Sequence, residues 1–429
     1  METNPRKEEN IDIYQQQHDS LRHYWPGQRS TFTGREVGSY KCDGRTTLRS
    51  LMMKNCTHDC EREYYLYLPS AACDNGATTI GTLPLVFAVH CLGCSAETMM
   101  HWTEIAEQRH FVLAIPVGLE NSFNAQHCCG YALEQDVDDV GFLQAVIHEL
   151  EDEFLFVSSD LAYALGWSNG GYMVSYAARF FRGIAPISGY QVDLKNRKDR
   201  PTAIFLHHAH DDMSVRATGC CTNASMPRCC CGISSFTDTC TSVEAKMQEW
   251  ASMDVNGCQG GKRDGASTPA VPQITMSKPD TVTCYTYNEC TANTSYCIHQ
   301  HKGHFNRPSF DAAFPMSMEI ANFFARNACN AYGSGRWMEE SSRCVCQKRT
   351  DGLNLGQKYC TPLQEDENNS MLLPPTSLPP DAPHFYRFIL VVLVLIPIGV
   401  LGMLYYYIYV RKRVYKGFDK VSTVELRTL

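Results

Sequence analysis

The sequence predicts an α/β fold built around a mostly parallel β-sheet. Six apolar runs have the length of buried strands, and long segments separate most of them: 64–68, 85–89, 111–115, 161–165, 183–187 and 203–206. Continuous apolar strands of this kind are typical of a parallel sheet covered on both faces. Between two of them, apolar residues recur at steps of three and four from Val140 to Phe154. This spacing predicts an amphipathic helix, and Asp138 and Asp139 suit its positive N-terminal end.

Composition excludes two classes of protein. Hydrophobic residues make up 44% of the 429 positions and charged residues 20%, which are globular values rather than those of a disordered chain. Residues 1–410 carry 44 acidic and 32 basic side chains, a net charge of −12. Because an acidic body repels polyphosphate, nucleic acid is not an expected partner.

All 22 cysteines lie between Cys42 and Cys360, which favours disulfides and an oxidising compartment.

Residues 388–410 are predicted to form a transmembrane helix that contacts the lipid bilayer. The 23 residues carry no charge and are long enough to cross the hydrocarbon core. Arg411, Lys412 and Arg413 follow directly, so the positive-inside rule places the tail in the cytoplasm and residues 1–387 outside the cell or in the lumen. In the tail, Tyr415 to Phe418 have the Y-x-x-Φ form of a sorting signal, which predicts an adaptor contact and residence in the plasma membrane or the endolysosomal system.

Four N-glycosylation sequons agree with this topology: Asn55, Asn223, Asn293 and Asn368. The first thirty residues contain no apolar stretch of the kind found in signal peptides. Two explanations stay open: the sequence lacks its original start, or the protein is tail-anchored with its body in the cytosol. The cysteines favour the first.

Composition shifts divide the chain into six segments. We expect an irregular leader at 1–60, a main α/β domain at 61–328 with a cysteine-rich excursion from the sheet at 216–300, a small cysteine-rich module at 329–360, a proline-rich stalk at 361–387, the transmembrane helix at 388–410 and a cytoplasmic tail at 411–429.

The clearest chemical signal is a G-x-S-x-G motif centred on Ser168. An apolar strand precedes it and a segment able to form a helix follows it. Glycines flank such a serine because a strand that turns sharply into a helix holds the serine in a strained conformation and leaves no room for a neighbouring Cβ. A serine hydroxyl also needs an imidazole base and a carboxylate partner. The candidates after the later strands are His299, His301 or His304, and Asp211 or Asp212.

A tight turn after the strand at 85–89 is the expected source of an oxyanion hole. The turn contains His90, Cys91, Leu92 and Gly93. We expect one donor to be the backbone N–H of Leu92 and the second to be that of Asn169, which follows the serine.

A metal site is the alternative for three groups of residues, and disulfides or a hydrolytic triad explain them better. One group is His299, His301 and His304, which have H-x-H-x-x-H spacing. Asp211 and Asp212 follow His207, His208 and His210, but no histidine completes the metallo-β-lactamase pattern H-x-H-x-D-H. Paired disulfides are favoured for Cys91, Cys94, Cys128 and Cys129 in an oxidising lumen. The expected site therefore needs no metal and no cofactor.

Several stretches together resemble the secreted polyhydroxybutyrate depolymerase and feruloyl esterase group of α/β-hydrolases, of carbohydrate esterase family 1 type. They are residues 89–118, 128–154 and 166–173, the segment 206–215 that is similar to H-G-x-x-D-x-x-V, Trp250 with Asn256-Gly257-Cys258, and Lys302-Gly303-His304. The resemblance covers about residues 61–328 and implies an α/β-hydrolase fold. It assigns Ser168 as nucleophile, Asp211 as acid and His304 as base, and it implies a disulfide between Cys258 and Cys290.

Two positions depart from the family pattern. Cys91 follows His90 where the family has glycine, and His208 stands at the glycine that follows the histidine of the acid segment. A Cβ at either position could tilt the oxyanion donor or the acid. The departures keep open a second hypothesis, a catalytically weakened ectodomain that serves in binding or adhesion.

The expected function is hydrolysis of a carboxylic ester outside the cytosol. The resemblance implies hydroxycinnamate on polysaccharide, hydroxybutyrate polyester or simple acetyl esters as substrates, and fold alone does not choose among them. A peptidase of the prolyl-oligopeptidase type is a further alternative, which lacks support because the chain has no propeller domain.

Overall fold

The computed structural model describes the central part of the chain. All described residues belong to the first of two compact units, Met1–Pro362, and the second unit, Leu363–Leu429, lies outside them. So do the predicted stalk, transmembrane helix and tail, and the sequons at Asn55, Asn223 and Asn368. The described residues are 46–53, 60–72, 82–126, 128–194, 200–219, 241–260, 262–263, 266–267, 269–305, 311, 313–331, 335–341 and 343–346.

Ten strands of the described chain form one mixed sheet in the order β1-β2-β4-β3-β5-β6-β7-β12-β11-β10. The six from β4 to β12 in this order are parallel, whereas β1 and β2 at one edge and β11 and β10 at the other pair antiparallel. The bounds are β1 Thr46–Met52, β2 Glu61–Tyr67, β3 Leu83–Val89, β4 Val112–Pro116, β5 Val157–Trp167, β6 Gly183–Ile187, β7 Ala203–Ala209, β8 Lys262–Arg263, β9 Ala266–Ser267, β10 Gln273–Lys278, β11 Val282–Tyr287, β12 Thr294–His299, β13 Gly335–Met338 and β14 Arg343–Cys346.

Helices cover both faces of this sheet. In β3, Leu85, Phe87 and Val89 pack into one apolar core, and Val86 and Ala88 pack into a second core on the opposite face. Helices α3, α4 and α5 contribute to the first core and α1 and α6 to the second. Because alternate side chains of a strand point to opposite faces, an apolar strand needs both layers. The helices are α1 Trp102–Arg109, α2 Tyr131–Glu134, α3 Asp139–Glu153, α4 Asn169–Tyr176, α5 Val243–Ala251 and α6 Met316–Asn330.

The predicted α/β class with a mostly parallel sheet is confirmed for the described residues, and each of the six predicted strands is present. The helix predicted near Val140 is α3, and the side chain of Asp138 caps it by accepting a hydrogen bond from Gly141 N at 2.8 Å. Within the described residues, none of the helices is both long and apolar enough to span a membrane.

Two predicted segments are corrected by the structure. The leader at 1–60 is not irregular throughout, since Thr46–Met52 form edge strand β1 against β2. The interval 216–300 is not an excursion from the sheet, because β10, β11 and β12 extend that sheet. Its residues 220–240 lie outside the described part. The cause of the second error is that the cysteines in β11 and β12 belong to paired strands: Cys284 and Cys297 face each other and form a disulfide.

Disulfides also join the more distant segments. Cys258, after α5, pairs with Cys290, which is the pairing that the family resemblance implies. Cys329 of α6 pairs with Cys344 of β14, so the described part of the predicted cysteine-rich module is a β13–β14 hairpin linked to α6. These cross-links restrict the unfolded chain and so stabilise the fold.

Candidate active site

Ser168 lies at a sharp turn between β5 and α4. Its backbone has φ 55° and ψ −115°, and α4 begins at the next residue. Both glycines of the motif are required by close contacts. A Cβ on Gly166 would lie 2.1 Å from the carbonyl oxygen of Gly170, and one on Gly170 would lie 2.2 Å from that of Val89. The strained backbone, which costs about 1 to 3 kcal/mol, holds the serine hydroxyl at the carboxyl end of the sheet.

Three side chains form a continuous hydrogen-bonded chain at this edge. The His304 Nε2 atom lies 2.8 Å from Ser168 Oγ, and His304 Nδ1 lies 2.8 Å from Asp212 Oδ2. Asp212 follows β7 and His304 follows β12, which pairs with β7 in parallel. The Asp212 side chain is buried and that of His304 is 28% exposed. This is the arrangement of a nucleophile, a general base and the acid that orients the base.

The structure corrects the predicted acid. Asp211 does not contact the imidazole of His304; its Oδ1 atom accepts hydrogen bonds from the backbone N–H groups of Lys302 and Gly303 instead. Asp212 occupies the acid position. The two adjacent side chains leave the chain in different directions where β7 ends, so only one of them reaches His304.

A spacing signal in the sequence could have identified Asp212. In the H-G-x-x-D-x-x-V pattern, valine stands three residues after the acid, and Val215 stands three residues after Asp212. His208 then matches the histidine of the pattern, and Ala209 stands where the family has glycine. The expected departure at His208 is therefore wrong, because His208 matches the histidine of the pattern. The departure lies one position later, where Ala209 stands in place of the glycine.

Hydrogen bonds keep Asp212 in its charged form. Its Oδ1 atom accepts from the backbone N–H groups of Ser214 and Val215, both at 2.8 Å. Burial opposes ionisation, but the hydrogen bond from His304, the nearby imidazole charge and the Val215 N–H outweigh it, so the pKa of Asp212 lies below its usual value. Asp212 is consequently a carboxylate at neutral pH.

His208 supports the acid loop from beneath. The ring is fully buried, its Nε2 atom lies 2.7 Å from the carbonyl oxygen of Val215, and Tyr190 packs edge-on against it. Burial lowers the pKa of His208 despite the nearby Asp212 carboxylate. A neutral His208 donates through Nε2–H to Val215, which fixes the turn that presents the two backbone N–H groups to Asp212.

The two predicted oxyanion donors lie at the same edge of the sheet. In the parallel pair β3 and β5, Val89 is aligned with Gly166, so the residues three positions later, Leu92 and Asn169, both lie just beyond the strand ends. The N–H of Asn169 is the first of α4 and has no acceptor within its own helix. That both N–H groups bind one oxygen stays a prediction.

His90 fixes the orientation of the Leu92 peptide. Its Nδ1 atom donates to the carbonyl oxygen of Cys91 at 2.9 Å, and its Nε2 atom accepts from the N–H of Gly118 at 3.0 Å. Cys94 N also donates to Cys91 O, and Cys91 and Cys94 form a disulfide. Because the C=O and N–H of a trans peptide point in opposite directions, the Leu92 N–H is directed away from His90. The sequence pattern alone gives no signal for this role.

The side chain of Asn169 ties the serine turn to the loop after β4. Its Oδ1 atom accepts from Phe123 N at 2.8 Å and its Nδ2 atom donates to Phe123 O at 2.9 Å. Cys128, which forms a disulfide with Cys129, lies 3.7 Å from the same Nδ2 atom. The four cysteines weighed as metal ligands are thus paired as two separate disulfides beside the site.

A second pair of histidines lies beside the triad strands without contacting Ser168. His207 Nδ1 lies 3.0 Å from His299 Nε2, and the aromatic rings of Phe205, Phe305 and Phe314 surround the pair. Burial lowers the pKa of His207 well below its usual value and that of His299 to about 3. Among the described residues, no group of three or more His, Cys, Asp or Glu side chains is placed to hold a metal ion.

Acid should destabilise the fold through its buried histidines. Four buried histidines, His90, His207, His208 and His299, have lowered pKa values, so below about pH 6.5 the unfolded chain takes up protons that the folded chain does not. Stability is therefore complete above that pH and falls by up to about 1.4 kcal/mol per pH unit for each histidine as the pH drops. Urea unfolding between pH 7.5 and 5 measures this slope, and a flat profile over that interval would contradict neutral burial of the histidines.

Comparisons with known proteins identify similar structures but no family. No family model and no curated protein matches this chain. It is similar to the structure of a thermostable esterase, with 20% identity and a TM-score of 0.31, covering 40% of this chain and 48% of the other. For a poly(3-hydroxybutyrate) depolymerase from Bordetella parapertussis the values are 13%, 0.30, 40% and 67%. For an acetyl xylan esterase from Aspergillus awamori they are 11%, 0.39, 65% and 99%.

The chain thus spans about half the length of the first of these structures.

Proposed function

We propose that the protein is a serine-dependent carboxylic ester hydrolase. The observation that supports this is the chain of 2.8 Å contacts from Ser168 through His304 to the buried Asp212. The contacts place a hydroxyl beside a base, and an ionised carboxylate holds that base in one tautomer. A serine in the left-handed region at a strand-to-helix turn has a structural cost that a purely packing role does not explain.

The proposed reaction has two halves. Ser168 Oγ attacks the ester carbonyl while His304 Nε2 takes its proton, and the N–H groups of Leu92 and Asn169 stabilise the oxyanion. The intermediate collapses as His304 returns the proton to the departing alcohol, which leaves an acyl group on Ser168. Water, deprotonated by His304, then attacks this acyl-enzyme and releases the acid and the free serine. Asp212 stays ionised throughout and stabilises the imidazolium.

The proposed compartment is outside the cytosol. Five disulfides of the described residues support it, because such bonds persist in oxidising compartments. The Asn293 sequon lies on an exposed residue. We also propose the membrane anchor at 388–410, the cytoplasmic tail and the adaptor contact at Tyr415.

Peptide-N-glycosidase treatment of protein from a eukaryotic host tests this topology. A mobility shift would support it, and an unshifted band would favour the tail-anchored alternative.

Steady-state hydrolysis of paired substrates tests the proposed activity. We expect turnover of p-nitrophenyl acetate and of a member of a panel of feruloyl, acetylated-sugar and hydroxybutyrate esters, and no turnover of peptidyl p-nitroanilides. Ser168→Ala should reduce the rate to background, whereas Ser50→Ala, at an exposed site in β1, should leave it unchanged. Cleavage of the anilides would favour the peptidase alternative. A folded wild-type protein that turns over no ester would favour the binding ectodomain.

A further inference from the structure

Asp211 makes a set of contacts that the proposed chemistry does not require. The residue is exposed and lies outside the hydrogen-bonded chain of Ser168, His304 and Asp212. Its Oδ1 atom nevertheless accepts from two consecutive backbone groups, Lys302 N at 3.1 Å and Gly303 N at 2.9 Å. These are the two residues that immediately precede His304. A single carboxylate oxygen therefore links the loop after β7 to the turn that presents the base.

The turn that carries His304 has little regular structure of its own. After β12 ends at His299, three residues adopt left-handed backbone conformations: His301 at φ 55°, Gly303 at φ 55° and Phe305 at φ 44°. Left-handed non-glycine residues are unfavourable and persist only where the surroundings hold them. Contacts from other segments are thus needed to keep the turn in one conformation.

The turn is held from two sides. On one side, Trp167 Nε1 donates to the backbone carbonyl oxygen of His304 at 3.2 Å, so the residue before Ser168 binds the backbone that carries the imidazole. On the other side, Asp211 holds the N–H groups of the two preceding residues. The imidazole itself is partly exposed, and its position also depends on its bonds to Ser168 and Asp212.

We propose that Asp211 is a positioning residue for His304: its carboxylate fixes the 302–303 turn so that the imidazole reaches Ser168 and Asp212 together. This inference rests on the proposed function. Adjacent aspartates then have separate roles, since Asp212 contacts the imidazole and Asp211 contacts the backbone that carries it. Misplacing a reacting group by about 1 Å can lower a rate about 100-fold. Losing the clamp, meaning the two hydrogen bonds from Lys302 N and Gly303 N to Asp211, should therefore lower turnover.

Two substitutions separate positioning from charge. Asp211→Ala removes the acceptor, and we expect kcat for p-nitrophenyl acetate to fall by about 10-fold to 100-fold with KM within about two-fold. Asp211→Asn keeps an amide oxygen that can accept both N–H groups, and it should restore kcat to within about three-fold of wild type. The exposed Asp254, which follows α5, provides the control Asp254→Ala, with an unchanged rate expected.

Hydrogen–deuterium exchange of residues 300–305 tests the clamp without relying on activity. Exchange at Lys302 and Gly303 should accelerate in Asp211→Ala and stay slow in Asp211→Asn, with the melting temperature close to wild type in both. Unchanged exchange in Asp211→Ala, or faster exchange with an unchanged kcat, would overturn the inference. A wild-type protein that hydrolyses no ester would overturn the proposed function, and the exchange data would then show whether the clamp itself exists.

Discussion

Replacing Asp212 with asparagine should lower kcat for ester hydrolysis by about 10⁴-fold, because an amide at this position favours the wrong tautomer of the base and cannot stabilise its charged form. In the structure, Asp212 Oδ2 lies 2.8 Å from His304 Nδ1. The Asp212 side chain is fully buried, so water does not compete for that bond. The substituted residue has the same shape, so the loop should keep its fold.

The neighbouring residue supplies the matched control. Asp211→Asn makes the same chemical change one position earlier and should stay within about three-fold of wild type, since it preserves an acceptor for the backbone. Steady-state kinetics of both variants on one p-nitrophenyl ester give the comparison. If Asp211→Asn were the inactive variant and Asp212→Asn the active one, Asp212 would not be the acid, and the assignment of Asp211 that the family resemblance implied would be right.

Replacing Arg62 with alanine should destabilise the protein by about 3 to 5 kcal/mol, because it leaves a buried carboxylate without its partner. Arg62 donates to Asp139 Oδ1 at 2.6 Å, and both side chains are almost fully buried. The guanidinium also lies 4.2 Å from the centre of the Phe142 ring. Asp139 Oδ2 in turn accepts from Asn124 N at 2.6 Å, next to the Phe123 backbone that binds Asn169. The loss of Arg62 should therefore also disturb the Phe123 backbone that holds Asn169 beside Ser168.

The pH dependence and two variants identify the cause. Burial raises the pKa of Asp139 even with Arg62 present, and removing Arg62 should raise that pKa further. The loss of stability should therefore be largest at neutral pH and shrink as acid protonates the carboxyl.

Urea unfolding should show a much smaller loss of stability for the apolar double variant Arg62→Met with Asp139→Leu. The exposed pair between Arg326 and Glu339 should cost less than about 1 kcal/mol when Arg326 is replaced with alanine. Equal losses at both arginines would contradict the account.

The turn that carries Ser168 could be predicted from sequence because its signal is local. Gly166, Ser168 and Gly170 lie within five residues, and each glycine is required by a backbone carbonyl that a Cβ would overlap. The central strands were predictable for a similar reason, since β3 and β5 are buried on both faces and are apolar throughout most of their length.

Which aspartate contacts His304 was harder to predict from sequence. Asp211 and Asp212 are chemically identical neighbours, and which one meets His304 is set by the direction of each side chain after β7. The spacing to Val215 carried that information, but it becomes decisive only when the Val215 N–H is seen to bond to Asp212. The roles of His90 and Asp211 involve backbone groups of distant loops, which side-chain patterns do not reveal.

The sheet edges were missed because their strands lack the apolar pattern. Every described position of β10 is exposed, and β1 has only partly buried or exposed residues. In β11 and β12 the cysteines dominated the sequence pattern. Cys284 and Cys297 face each other because the register of the two antiparallel strands places them directly opposite.

Reaction with a fluorophosphonate probe, followed by peptide mass spectrometry, tests most directly whether Ser168 is an activated nucleophile. The account predicts a single covalent adduct on Ser168 in wild type, no adduct in Ser168→Ala and slow labelling in Asp212→Asn. A folded wild-type protein that acquires no adduct, or one that is labelled at another serine, would contradict the central claim.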